Sequence, residues 1–131
     1  MNTINLQLQQ ELDEYLNNKA EFSTYYPNMN ILVSNLYKEQ LKQVLKVLDH
    51  GNENSSKSFK LYLDTVIINM HSKIKKYKQS VYFTNENVKD IDNQGFMIPF
   101  YIDQKNDFYV ILGLVEKKPK DNNVENSNSS I

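Results

Sequence analysis

Cysteine and arginine are both absent from the chain, so all 15 of its strongly basic residues are lysine. Without cysteine there is no disulfide framework and no thiolate zinc site, which fits a reducing compartment. Without arginine there is no planar guanidinium fork, the side chain best shaped to hold two phosphate oxygens at once. Chemistry that leans on arginine at a developing phosphoryl charge is weakened accordingly. The heavy use of Asn, Lys and Ile offers compositional bias as an equal cause of that absence. Glycine is scarce: its three positions, 51, 95 and 113, cannot build a loop that cradles phosphates. No apolar run approaches the roughly 20 residues needed to cross a bilayer, and residues 1–12 lack the basic start and apolar block of an export signal. The expectation is a cytoplasmic protein with no membrane association and no cofactor.

What is present suffices for one core. The chain has 131 residues, 40% hydrophobic and 11% aromatic, the size and composition of a single compact domain rather than a disordered chain. Sixteen acids against 15 lysines give a net charge of −1, which argues against strong, sequence-independent DNA binding, since counterion release needs a concentrated basic surface.

Along the chain, Ile4, Leu8, Leu12, Tyr15 and Leu16 recur at helical spacing, so an amphipathic helix is expected over about residues 4–18. Residues 21–28 read as a connector. The apolar run of residues 29–33 predicts a strand, and Ser34 or Asn35 caps a following helix whose stripe is Leu41, Val44, Leu45 and Leu48. Residues 52–56 read as a polar turn. Phe59, Leu63, Val66, Ile67, Met70 and Ile74 then continue one helical period, and the two helices should pack as a hairpin. Residues 81–83 read as a short strand and 87–92 as an extended piece. Gly95 opens a strand in which Phe96, Ile98, Phe100 and Ile102 alternate, and residues 108–115, apolar on both faces, should form a central strand. Pro99 removes a ladder donor and demands an open side or a bulge. Residues 118–131 are too polar to offset their ordering entropy and are expected to be disordered.

This order predicts an α+β fold, a helical hairpin packed on a small antiparallel sheet with an additional N-terminal helix. Four segments carry a resemblance: Met29-Asn30-Ile31-Leu32-Val33-Ser34, Lys76-Tyr77-Lys78-Gln79-Ser80-Val81-Tyr82-Phe83, Val88-Lys89-Asp90-Ile91 and Gly95-Phe96-Met97-Ile98-Pro99-Phe100. Together they resemble the RelE/ParE superfamily of toxins from type II toxin-antitoxin modules. The likeness covers residues 29–117, leaving residues 1–28 as an added helix and connector and 118–131 as a tail.

The resemblance implies a growth-inhibiting toxin of the plasmid-stabilising kind, neutralised by a cognate antitoxin laid across its helices and sheet. It implies one of two targets, DNA gyrase for ParE-type members or ribosome-bound messenger RNA for RelE-type endonucleases. The ribonuclease branch typically carries an arginine two positions after the glycine that precedes the third strand; here that position is Met97. The last strand offers Tyr109, Glu116 and Lys117 and no histidine. A ribonuclease needs a base, an acid and fixed positive charge, so gyrase inhibition is favoured over cleavage. A non-catalytic immunity or binding protein on the same fold is the alternative.

Lys73, Lys75, Lys76 and Lys78 cluster after the long helix, where they read either as a patch facing nucleic acid or an acidic partner, or as cations complementing a helix C-terminus. Tyr77 and Tyr82 sit beside them in sequence, as stacking platforms or as rim tyrosines of the core. Lys89 falls where the resemblance usually has an arginine; a strand lysine that discourages edge pairing is the other reading. Asp64, Glu86, Asp90 and Asp92 are expected to be solvated, and His50 and His71 have no metal-ligand spacing around them. The N-terminal helix is expected to dock as an extra layer, to mediate self-association through Leu8, Leu12 and Leu16, or to reflect the choice of start site, since Met29 opens the family-like region; residues 29–117 are expected to fold without it.

Overall fold

The computed structural model describes residues 3–18, 22–25, 30–51 and 53–117. Its elements are α1 (Thr3–Asn17), β1 (Ser23–Thr24), β2 (Ile31–Val33), α2 (Asn35–Gly51), α3 (Glu53–Ile68) and a 3-10 segment (Met70–Lys76), followed by β3 (Lys78–Gln79), β4 (Val88–Asn93), β5 (Phe96–Asp103), β6 (Phe108–Ile111) and β7 (Val115–Glu116). The architecture is α+β, as expected. The expected tail, residues 118–131, lies outside the described residues, as do parts of the 21–28 connector.

The sheet is larger than expected and not wholly antiparallel. Its seven described strands run β1-β2-β6-β5-β4-β3, with β7 pairing the start of β5. β2 enters beside β6 in parallel, Ile31 opposite Tyr109 and Val33 opposite Ile111. Two helices, the 3-10 segment and strands β3 to β5 separate these strands in sequence, ample for the long connection that a parallel pair requires. β4 and β5 form a tight hairpin from Val88↔Tyr101 to Asn93↔Phe96. Gln94 and Gly95 turn it with positive φ of 53° and 86°, the mirror-type two-residue turn matched to strand twist.

Local chemistry places the remaining boundaries. Ser34 caps α2: its hydroxyl accepts from the Tyr37 N–H at 3.0 Å. The expected turn at 52–56 is overridden from residue 53 on, where α3 has already begun; residue 52 lies outside the described residues. The expected single long helix breaks instead after Ile68, where Asn69 is a turn residue and the backbone tightens to 3-10 geometry. Residues 81–83 form no strand; Val81 is 74% exposed, and the pairing passes to Lys78–Gln79 just before.

Pro99 lies buried in the middle of β5 rather than at an open edge. The Leu112 N–H donates to the Pro99 carbonyl at 2.9 Å, but proline has no N–H to return. The Ser34 hydroxyl donates to the Leu112 carbonyl instead, at 2.7 Å. The missing ladder bond thus falls where β6 gives way to the irregular residues before β7, the bulge that Pro99 demanded.

Both faces of the sheet are covered. On one, Tyr37 of α2, Phe59, Leu63 and Ile67 of α3 and Met70 pack on Ile31, Val33, Ile91, Ile98, Phe100 and Ile111. On the other, Leu8, Leu12 and Tyr15 of α1 pack on Leu32, Val88, Val110 and Leu112. The N-terminal helix therefore docks as a layer of the core. Leu16 stays 55% exposed and takes no part. Gly113 makes this approach possible, since a β-carbon there would sit 2.5 Å from Leu8 Cδ2 and 3.1 Å from Gln40 Oε1. Gln40 Oε1 in turn accepts from the Leu114 N–H at 2.6 Å. Among the described residues no helix is long and apolar enough to cross a membrane.

Candidate functional site

The end of the molecule where α3 meets the sheet gathers most of the residues singled out from the sequence. Met70 is fully buried and Ile74 half-buried, so the 3-10 segment is pinned by two apolar side chains and turns His71, Ser72, Lys73, Lys75 and Lys76 outward. Its first turn is closed on Asn69, whose carbonyl accepts from the Ser72 N–H at 3.2 Å and hydroxyl at 2.9 Å. At Lys73 the backbone leaves helical geometry (φ −121°, ψ 17°), and the segment ends with the Tyr77 N–H donating to the Ile74 carbonyl.

Two clefts open here. The first, about 480 Å³, is rimmed by His71, Lys73, Lys75 and Lys76 and walled by Ile74 and Tyr109. The second, about 430 Å³, lies on the other side of Ile74 and Tyr109 and takes in Glu86, Lys89, Asp103 and Asp107. The Tyr109 ring is steadied on its inner side by an edge-to-face contact with buried Phe100, centroids 6.4 Å apart.

The predicted residues divide accordingly. Lys73, Lys75 and Lys76 come together in the first cleft. Lys89 stands in the second, where its ammonium donates to the Tyr77 carbonyl at 3.2 Å. Lys78 is exposed on β3 opposite Asp90 in register. Tyr77 packs with the hairpin-side core, its ring 5.7 Å from that of Phe100, and burial raises its pKa. Tyr82 packs with the α1-side core, its pKa raised by burial and by nearby Asp90. The two tyrosines therefore belong to opposite faces of the sheet, and they do not form one stacking surface.

Two acids expected to be solvated are not. Asp90 is only 7% exposed; its carboxylate accepts from the Val81 N–H at 2.8 Å, and burial raises its pKa against hydrogen bonds from Ser80 and Val81 that lower it. Asp64 accepts from the Tyr25 hydroxyl and pairs with Lys60 at 2.7 Å, with its pKa raised by burial. Exposed Asp92 fits the expectation and pairs with Lys117 at 3.0 Å.

In the second cleft, Asp103 is engaged by Tyr15 and Asn106, Asp107 accepts from Asn30 Nδ2 at 3.0 Å, and Lys89 is turned to a backbone carbonyl. Glu86 is the remaining carboxylate of that cleft. The concentrated positive charge is on the far side of the Ile74–Tyr109 wall. Tyr109 was placed on the last strand by the sequence, but nothing there indicated that it would divide the two clefts; its parallel neighbour β2 and the 3-10 segment do that. No cluster of His, Cys, Asp or Glu among the described residues is arranged to hold a metal ion.

A third hollow, about 380 Å³ and mainly apolar, lies beside the helical hairpin, between Val44, Val47 and Leu48 of α2, Phe59 of α3 and Phe96 at the start of β5. No protein-family model matches the chain, and no curated protein matches it.

Proposed function

We propose that this protein is the toxin of a RelE/ParE-like toxin-antitoxin module, acting in the cytoplasm by binding its target, with ParE-like inhibition of DNA gyrase as the mode. The observation that carries the reading is the connectivity of residues 31–116. A strand, two helices and a meander of strands follow one another, and the first strand lies parallel beside the last long one. The sequence resemblance implies that element order, and the helical hairpin lies on one sheet face as the resemblance also implies.

Binding is favoured over messenger RNA cleavage for two reasons. Met97 stands where the ribonuclease branch carries arginine. α1 also covers the second sheet face, so neither face offers an open floor of strand residues to a scissile phosphate. A cognate antitoxin would find its seat in the apolar hollow beside the hairpin, where Val47 stands 69% exposed. An apolar helix face or extended segment suits such a groove.

Induced expression in growing bacteria tests the reading. Growth should stop, with gyrase-linked DNA breaks accumulating and messenger RNA intact. Cut messenger RNA would transfer the protein to the endonuclease branch. Unimpeded growth in every host would leave a non-catalytic binding protein on this fold as the better account.

A further inference from the structure

We infer that the outward face of α3 is a self-association surface, on which a second copy of this chain packs antiparallel about a two-fold axis level with Leu63. The protein is then a homodimer. Its seam runs along a different side of α3 from Phe59 and the apolar hollow, and it stands apart from the toxin reading.

Three observations carry it. First, this face is apolar where that of α2 is charged. Leu61 is 70% and Tyr62 56% exposed, and among the described residues neither they nor Ile68 belong to either core. Between residues 61 and 72 the sequence holds one acid, Asp64, and no lysine. Asp64 is already taken up by Lys60 and the Tyr25 hydroxyl. α2, the other half of the hairpin, instead exposes Lys38, Glu39, Lys42, Lys46 and Asp49. Second, the polar side chains along the face are turned back on the helix. The Thr65 hydroxyl donates to the Leu61 carbonyl, Asn69 Nδ2 to the Thr65 carbonyl and the Ser72 hydroxyl to the Asn69 carbonyl, each at 2.9 Å. Their donors are satisfied before a partner arrives, so covering them strands little. Third, the face is complementary to itself. Ser58, Leu61, Thr65 and Ile68 are spaced by three, four and three residues, the seam of a packed helix pair. In an antiparallel pair centred on Leu63, Leu61 meets Thr65 of the partner subunit and Ile68 meets Ser58 of the partner subunit, large against small in every layer. A face without free charge offers nothing for a strongly charged partner to read, and at a net charge of −1 two copies scarcely repel.

Sedimentation equilibrium of the full chain tests this. A pair of 16-residue helices, about 24 Å long, lies at the small end of specific interfaces. A reversible rise from 15.4 kDa toward twice that mass is therefore expected as protein concentration increases from about 1 μM to about 1 mM. Added salt should leave the association intact, because no ion pair holds it. Leu61→Lys and Thr65→Glu each put a charge into the seam at an exposed position, and each alone should weaken association at least about tenfold. An equimolar mixture of the two variants should recover it, because the new ammonium of one then faces the new carboxylate of the other. That recovery belongs to the antiparallel register, since a parallel pair sets each position against its own copy. Leu16→Glu changes an exposed leucine on α1 and should leave the mass unchanged; circular dichroism confirms that each variant is folded. A monomer at every concentration overturns the proposal, and so does a dimer that survives both Leu61→Lys and Thr65→Glu. Loss of the dimer in Leu16→Glu would assign self-association to α1 and overturn it equally. Failure of the mixed variants to associate would reject the antiparallel seam.

Discussion

The two faces of the central sheet are covered by helices of different origin. The hairpin of α2 and α3 is inserted in sequence between β2 and strands β3 to β7, and its face is sealed by aliphatic and aromatic residues from Ile31 to Ile111. α1 reaches the opposite face from the chain's beginning, across a connector, yet its Leu8, Leu12 and Tyr15 are as fully buried as Leu63 or Ile67. Polar chemistry separates them. The α1 side holds buried Asp90 and Asp103, and its helix is fixed by a Tyr15–Asp103 hydrogen bond of 2.6 Å. A sheet whose central strand β6 is apolar on both faces has to be covered twice, so the added helix completes the core.

Removing residues 1–28 tests that equivalence most severely. The sequence alone suggests that residues 29–117 fold without the first helix. The packing argues otherwise: taking away three fully buried side chains at about 1.5–3 kcal/mol each removes a sum comparable to the whole stability of a small domain. The shortened chain should lose cooperative thermal unfolding and expose apolar surface to a fluorescent dye. A sharp transition close to that of the full chain would mean that α1 is an appendage and the two faces are not equivalent.

A smaller change probes the fit of α1 rather than its presence. Gly113→Ala places a methyl group against Leu8 Cδ2, in a site where Leu8 is 0% exposed and has nowhere to move. Overpacking of this kind should cost about 2–3 kcal/mol in urea unfolding. Leu8→Ala alone leaves a cavity at a cost of about 2–5 kcal/mol. The double variant should be more stable than the sum of the two predicts, because each change relieves the other. Strict additivity would show that α1 does not press on the β6–β7 bulge.

Much of this fold was legible in the sequence, for identifiable reasons. The stripes of α1 and α2, the alternation in β5 and the doubly apolar β6 are periodicities, and periodicity is local. The Pro99 bulge was legible because a missing N–H has to be accommodated somewhere. Residues 53–56 and 81–83 misled because propensity is weak against tertiary context: polar residues extend the start of α3, while Val81 and Tyr82 are held in a turn by hydrogen bonds from their N–H groups to Asp90 and Ser80. The parallel β2–β6 pair was not legible, since Ile31 and Tyr109 lie far apart in the chain and no local pattern encodes their register. For the candidate site, the lysines at 73, 75 and 76 were visible as a charge cluster. Their separation from Tyr82, and their meeting with Tyr109, depend on which face each strand residue takes and on where the 3-10 segment lies.

The mildest perturbation addresses the polar contact that marks the α1 face. Tyr15→Phe keeps the ring and its edge-to-face packing on Phe22 and Tyr101 but removes the donor to Asp103. Asp103 retains the Asn106 N–H at 3.1 Å and Nδ2 at 2.8 Å, so its carboxylate is not stranded and the loss at neutral pH should be about 1.5 kcal/mol. The alkaline behaviour is more diagnostic. Burial first, and then Asp103 as acceptor and as a neighbouring charge, raise the Tyr15 pKa well above its ordinary value of 10.0. A raised pKa means that the folded state keeps its proton after the unfolded state has begun to lose it. The stabilisation is therefore complete below about pH 10 and declines as pH rises beyond it. The wild-type protein should lose stability steeply over that alkaline range, and Tyr15→Phe should lose less of it. Tyr77, Tyr82 and Tyr101, whose pKa values are also raised, keep a residual slope in the variant. Equal alkaline slopes in the two proteins would show that the hydroxyl of Tyr15 is not held at the sheet, and α1 would then rest on that face through apolar contact alone.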